Sequence, residues 1–222
     1  PCQGPWGREY DRSSMTHPKL EVRSLACERG LKTLFQGVDF DLSAGQWLHL
    51  EGANGVGKTS LLRILCGLAP AAGGELRWRG LPLTHPDSTY RQERLFMGHQ
   101  LALKEELSAL ENLLCDAALS GQPLTRSQAL EALAEQGLTG REHLPLRVLS
   151  QGQKRRCALA RLRPGQHPLW LLDEPFVALD AAALERLRDQ LSRHVALGGA
   201  VLYTSHQAVT LQGEGRSYRL GA

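Results

Sequence analysis

Along this 222-residue chain the apolar positions change period several times. Segments 20–22 and 38–42 alternate apolar with polar residues, as half-buried strands do. Segment 46–50 reads as a third short strand that ends at a glycine-rich loop. From Lys58 onward, Leu61, Leu62, Ile64, Leu65 and Leu68 fall on one helical face, and Gly67 and Pro70 mark its end. Segment 75–79 reads as a strand before a turn at Gly80, and 95–97 as a short strand leading to His99 and Gln100.

The character then changes. No strand pattern occurs in 101–148, which is expected to be a helical insertion. Helices are predicted over 107–119 and 126–136, with Leu110, Leu113, Leu114, Leu130 and Leu133 on the buried faces. Beyond the insertion come a helix over 153–161 and a compact strand at Leu169–Leu172. A helix over 181–197 follows, with Leu184, Leu187, Leu191 and Val195 aligned, and then a buried strand at Ala200–Thr204. No strand is read after it. Alternating strands and helices predict an α/β fold with a mainly parallel sheet covered on both faces.

Composition narrows the class. Hydrophobic residues at 42% and charged residues at 22% describe an ordinary globular chain. A net charge of +3 is too small to argue for nucleic acid, although Lys154, Arg155, Arg156, Arg161 and Arg163 form a local basic run. The five cysteines form no CxxC pair, which speaks against a zinc site or a disulfide framework and for a reducing cytosol. The absence of CxxCH leaves no basis for covalent haem attachment. No apolar run approaches the roughly 20 residues that span a bilayer. Residues 1–14 are polar and lack the apolar segment of a secretory signal. Met15 reads as the natural start, so residues 1–16 are expected to be an extension ahead of one domain at 17–222.

Candidate chemistry begins at Gly52-Ala53-Asn54-Gly55-Val56-Gly57-Lys58-Thr59, which matches G-x-x-x-x-G-K-[ST] between a predicted strand and a predicted helix. Glycines let backbone N–H groups turn toward phosphate oxygens, and the helix N-terminus favours negative charge. Lys58 would place a charge at the β and γ phosphates, and Thr59 a hydroxyl on Mg2+. A glycine-rich turn with a chance lysine would explain the letters but not the strand before and the helix after. Downstream, the apolar strand Leu169–Leu172 ends in Asp173 and Glu174. Asp173 would hold the metal through water, and Glu174 would polarise the attacking water as general base. Read alone, the two acids are equally a solvated turn.

Leu149-Ser150-Gln151-Gly152-Gln153 stands at the start of the helix before that strand. As a bare pentapeptide it would be a helix cap; in its present order it resembles the signature loop of ABC transporter ATPases, with Gln151 in place of a small residue. The resemblance covers about 20–210. It implies a P-loop NTPase core, an antiparallel β part and an inserted helical subdomain at about 101–148. It further implies that Ser150, Gln151, Gly152 and Gln153 act on ATP bound to a second copy of the chain. Gln100 resembles the glutamine that contacts Mg2+ and the attacking water. Ala178-Leu179-Asp180 looks like the loop that crosses the dimer interface, and His206 like the histidine at the γ-phosphate. The aromatic that usually stacks on adenine is missing. Its place falls near Arg29, whose guanidinium either stacks on the base or stands in an exposed turn.

Finer detail resembles the CcmA family, the haem-exporter ATPases of bacterial cytochrome c maturation. The residues that carry this are Leu25-Ala26-Cys27-Glu28-Arg29-Gly30, Thr33-Leu34-Phe35, Gly52-Ala53-Asn54-Gly55, Gly98-His99-Gln100, Ala109-Leu110-Glu111-Asn112-Leu113, Arg155-Arg156-Cys157-Ala158-Leu159-Ala160-Arg161-Leu162 and Asp173-Glu174-Pro175-Phe176. Arg163-Pro164-Gly165-Gln166 departs from the usual apolar continuation, and Pro164 is expected to shorten the preceding helix. The resemblance implies a peripheral ATPase on the cytoplasmic face of the inner membrane, partnered by a membrane permease and other cytochrome c maturation proteins. Leu101 and Leu103, beside Gln100, are candidates for the permease contact if exposed and for the core if not. The ATPase of another ABC transporter remains the open rival. A soluble ABC protein would need a coiled coil or second cassette, and a P-loop kinase would lack 149–153.

Overall fold

A computed structural model of the chain describes residues 19–83, 88–163, 165–206 and 209–221. The expectations for residues 1–14 and for Pro164 fall outside them. In chain order the first elements are β1 (Lys19–Arg29), β2 (Lys32–Ser43), β3 (Gln46–Glu51), α1 (Lys58–Leu65), β4 (Gly73–Trp78), β5 (Leu81–Pro82), α2 (Ser88–Glu93) and β6 (Arg94–Met97). Then come α3 (Ala109–Leu119), α4 (Arg126–Glu135), α5 (Gln151–Leu159), β7 (Leu169–Leu172), α6 (Ala181–Ala196), β8 (Ala200–Thr204) and β9 (Glu214–Arg219).

Strand β7 shows how the sequence builds the centre. All four of its residues are buried. Leu169 and Leu171 enter one apolar cluster, Trp170 and Leu172 another, as the two-residue period of a strand requires. In β8, Ala200 and Leu202 face the first cluster, and Val201 and Tyr203 the second. These strands belong to a five-stranded sheet ordered β6-β7-β8-β3-β9, in which every pairing is parallel. Burial on both faces is why β7 and β8 read as compact buried runs without alternation. Leu61, Leu62 and Leu65 of α1 cover one face, and Leu187, Leu191 and Val195 of α6 the other.

A four-stranded antiparallel sheet, β2-β1-β4-β5, packs Leu20, Val22, Phe40, Leu42 and Trp78 into the first cluster. Strand β1 runs well past the predicted 20–22 because its register shifts between Val22 and Leu25, with Ser24 at φ 46. Such a bulge breaks the two-residue alternation that a pattern reading depends on. Gly74 fits against it, where a Cβ would lie 2.4 Å from the Ser24 carbonyl oxygen. Leu68, expected on the buried face of α1, is 53% exposed. The chain turns outward at Gly67, whose φ is 66, so α1 stops before Leu68 is reached.

The stretch 101–148 contains helices and no strand, as predicted. Capping boxes start both helices, Ser108 with Glu111 on α3 and Thr125 with Gln128 on α4. Their apolar faces, with Leu138, Leu146 and Leu149, form a third cluster that includes Cys157 and Ala160. Ala158 and Leu159 of α5 face the second cluster instead. Helix α5 is therefore shared between the helical layer and the parallel sheet. Leu101 and Leu103 are half-buried: both pack against the second cluster, Leu103 also against the third, and each keeps part of its surface exposed.

Candidate functional site

The site lies at the C-terminal ends of β3, β7 and β8, where α/β sheets open their crevices. Strand β3 feeds the glycine-rich loop, and α1 begins at Lys58. Gly57 sits at φ 112, and a Cβ there would come within 2.9 Å of the Phe35 ring. Only glycine allows that loop to close against β2. Gly52 is constrained from the other side: a Cβ would meet the Leu220 carbonyl oxygen at 2.9 Å, just beyond β9.

Lys58 is 9% exposed. Its Nζ donates to the carbonyl oxygens of Gly52 at 2.6 Å and Ala53 at 3.2 Å. Both partners are neutral, and no carboxylate pairs with this ammonium among the described residues. A buried cation without a counter-charge fits an anionic group. Across the crevice, Asp173 is 2% exposed. Its Oδ2 accepts from Thr59 Oγ1 at 2.8 Å and its Oδ1 from Thr204 Oγ1 at 2.9 Å. A hydroxyl beside a carboxylate is an oxygen donor set that suits Mg2+.

Glu174 follows at φ 53, a left-handed conformation uncommon for a residue with a side chain. Its backbone N–H donates to Thr204 Oγ1 at 2.8 Å, and its carbonyl accepts from Arg155 Nη2. The Glu174 Oε1 lies 3.3 Å from His206 Nε2, and the two side chains are 14% and 57% exposed. Burial lowers the pKa of the Arg155 guanidinium, while Asp173 and Glu174 pull it back upward. His49, beneath the His206 turn, places Nε2 3.2 Å from the Ser205 carbonyl oxygen and stacks on Tyr203 with ring centroids 4.8 Å apart.

A cavity of about 400 Å³ joins these groups. Of the predicted residues, Arg29, Asn54, Gly55, Gly57, Lys58, Thr59, Asp173, Glu174 and His206 line it. Gly52 and Ala53 present their carbonyls to Lys58, and Val56 packs against the first apolar cluster. Gln100 is exposed and outside the lining, where its neighbour His99 stands instead. Ser150, Gln151, Gly152 and Gln153 also lie outside, at the start of α5. Ser150 Oγ accepts from the Gln153 N–H at 3.2 Å and Gln153 Oε1 from the Ser150 N–H at 2.9 Å, a capping box. Asp180 caps α6, accepting from the Ala183 N–H at 2.7 Å. Sequence reasoning missed Thr204, Arg155, His99, Leu34 and Ser60. Thr204 ended a strand already read as buried, so its hydroxyl was the one signal available.

The chain matches the ABC transporter family over residues 35–177. It is 49% identical over 203 residues to the cytochrome c biogenesis ATP-binding export protein CcmA of Dechloromonas aromatica, covering 91% of this chain and 100% of that one. It is 48% identical over 206 residues to the protein of the same name from Methylococcus capsulatus, covering 93% and 100%. Among solved structures, a dimeric bacterial ABC transporter cassette superposes with a TM-score of 0.79 at 23% identity, covering 91% of this chain and 95% of that one. The antiparallel sheet, parallel core and helical layer are thus those of an ABC cassette. The chain belongs to the ABC transporter family and, within it, to the CcmA family.

Proposed function

We propose that this chain is the ATP-hydrolysing subunit of an ABC transporter that powers haem export or delivery in cytochrome c biogenesis. The observation that carries the reading is one cavity lined by Lys58, Thr59, Asp173, Glu174 and His206 in a CcmA-family chain. Backbone N–H groups of the loop from Gly52 to Gly57, with Lys58, hold the β and γ phosphates of ATP. Arg29 lines the cavity and takes the place of the adenine-stacking aromatic. Thr59 and Asp173, with Gln100 on closure, hold Mg2+, which when bound supplies Lewis-acid charge at the phosphoryl oxygens. Glu174 takes the proton of the attacking water as general base, and His206 bonds the γ-phosphate.

Ser150, Gln151, Gly152 and Gln153, with Asp180, complete the site of a second copy. The dimeric state of the related cassette supports that arrangement. The domain runs over 17–222, with its helical subdomain at about 101–148. Its partners are a membrane permease and other cytochrome c maturation proteins. No helix among the described residues is long and apolar enough to cross a membrane. The chain sits as a peripheral subunit on the cytoplasmic face of the inner membrane. Lys58→Ala removes the one fixed charge of the phosphate cradle. It is expected to abolish ATP turnover in the purified protein and cytochrome c assembly in cells that depend on it. Retained turnover would overturn the reading, and lost turnover with normal cytochrome c assembly would overturn the transport assignment alone.

A further inference from the structure

Three consecutive residues of α5 reach three different parts of the molecule. Lys154 Nζ bonds Glu105 Oε1 at 2.6 Å, at the entrance to the helical layer. Arg156 Nη1 donates to the carbonyls of Gln136 and Gly137, at 3.3 and 3.1 Å, at the end of α4. Between them Arg155 points the other way, is 6% exposed, and donates to the backbone carbonyl of Glu174. The start of α5 also abuts the segment after Glu174: a Cβ on Gly152 would lie 3.7 Å from the Ala178 carbonyl oxygen. Helix α5 therefore joins the helical layer to the peptide that carries Glu174.

That peptide needs holding. With φ at 53, Glu174 occupies a region that costs energy for a residue with a Cβ. Thr204 holds its N–H and Arg155 its carbonyl, so both sides of the residue are fixed where its carboxylate lies beside His206. Stability alone does not favour Arg155 here. Its Nε is buried with no acceptor among the described residues, and a well-packed apolar side chain would avoid burying the charge.

We infer that Arg155 is a positioning residue for hydrolysis, transmitting the placement of the helical layer to Glu174 through its carbonyl. The inference rests on the proposed role of Glu174 as general base. The test compares Arg155→Met, which keeps bulk without a donor, and Arg155→Lys, which keeps a donor, each alone and combined with Glu174→Gln. Arg155→Met is expected to lower kcat roughly 10- to 100-fold, as for a lost charge-assisted hydrogen bond. The Kd for ATP should stay within about threefold, because the phosphate cradle is untouched. Arg155→Lys should recover part of kcat. In the Glu174→Gln background, single-turnover hydrolysis should show no further loss from either substitution. Wild-type kcat in folded Arg155→Met would overturn the inference. So would an equal loss in the Glu174→Gln background, or a raised Kd with kcat intact. If Arg155→Met does not fold, Arg155→Lys decides: an intermediate kcat that depends on Glu174 supports the inference, and a loss independent of Glu174 overturns it. Wild-type turnover in Glu174→Gln alone would instead remove the role of Glu174.

Discussion

Thr204→Val isolates one atom. Valine has the shape of threonine without the hydroxyl, and Thr204 is fully buried at the end of β8. The hydroxyl makes two bonds: it donates to Asp173 Oδ1 at 2.9 Å and accepts from the Glu174 N–H at 2.8 Å. A bond to a carboxylate contributes about 1.5–3 kcal/mol and a neutral one about 0.5–1.5 kcal/mol. The substitution leaves both partners under-satisfied in a buried place. The expected loss of folding stability is therefore about 2–4 kcal/mol, or a Tm lower by roughly 5–15 °C for a chain of this size. Turnover should fall as well, because Asp173 and Glu174 lose their common anchor. Denaturant titration and thermal unfolding measure the first effect, and steady-state ATP hydrolysis the second. In a double-mutant cycle, Thr204→Val and Asp173→Asn should be strongly non-additive. A stability change under about 0.5 kcal/mol, with turnover intact, would refute the view that this hydroxyl ties β7 to β8 at the site.

Two further outcomes follow from other positions. His194 is fully buried and stacks on Trp170 with ring centroids 3.7 Å apart, and burial lowers its pKa to about 4. From its ordinary value of 6.5 down to about 4, the unfolded chain binds a proton that the folded chain does not. The stabilising contribution is full above pH 6.5 and is lost as pH falls toward 4, by about 3 kcal/mol in all. Denaturant titrations at pH 7 and pH 4.5 should show this slope, and His194→Leu should flatten it; an unchanged slope would contradict the assignment. In the cavity lining, Arg29→Ala should weaken ATP binding and Arg29→Tyr restore it. Equal Kd values by calorimetry for all three proteins would mark Arg29 as a bystander.

Much of the site was legible because its chemistry is local in sequence. The loop from Gly52 to Thr59 carries its own strand and helix context, and Asp173 and Glu174 close an apolar strand. What was not legible depends on distant pairings. Strand β9 has no apolar alternation, since Tyr218 is its one half-buried residue, and it exists through parallel pairing with β3. Helix α2 has six residues, too few for a helical period to show. The continuation of β1 was hidden by the bulge at Ser24, and the roles of Thr204 and Arg155 by the separation of β8 and α5 from Glu174. For Ser150 the cap and the chemistry were both legible, and the geometry shows the cap; Asp180 was read for chemistry alone, and the geometry adds that it too caps a helix.

The central claim is that the Lys58 and Asp173 crevice hydrolyses ATP with Glu174 as the base. Its most direct test is the ATP hydrolysis rate of Glu174→Gln at saturating nucleotide, with ATP binding measured on the same sample. Glutamine keeps the shape of Glu174 and cannot take a proton. Loss of a general base costs about 100- to 10,000-fold, so the rate should fall at least about 100-fold while ATP stays bound. A rate within about twofold of the unaltered protein, with ATP bound normally, would contradict the account.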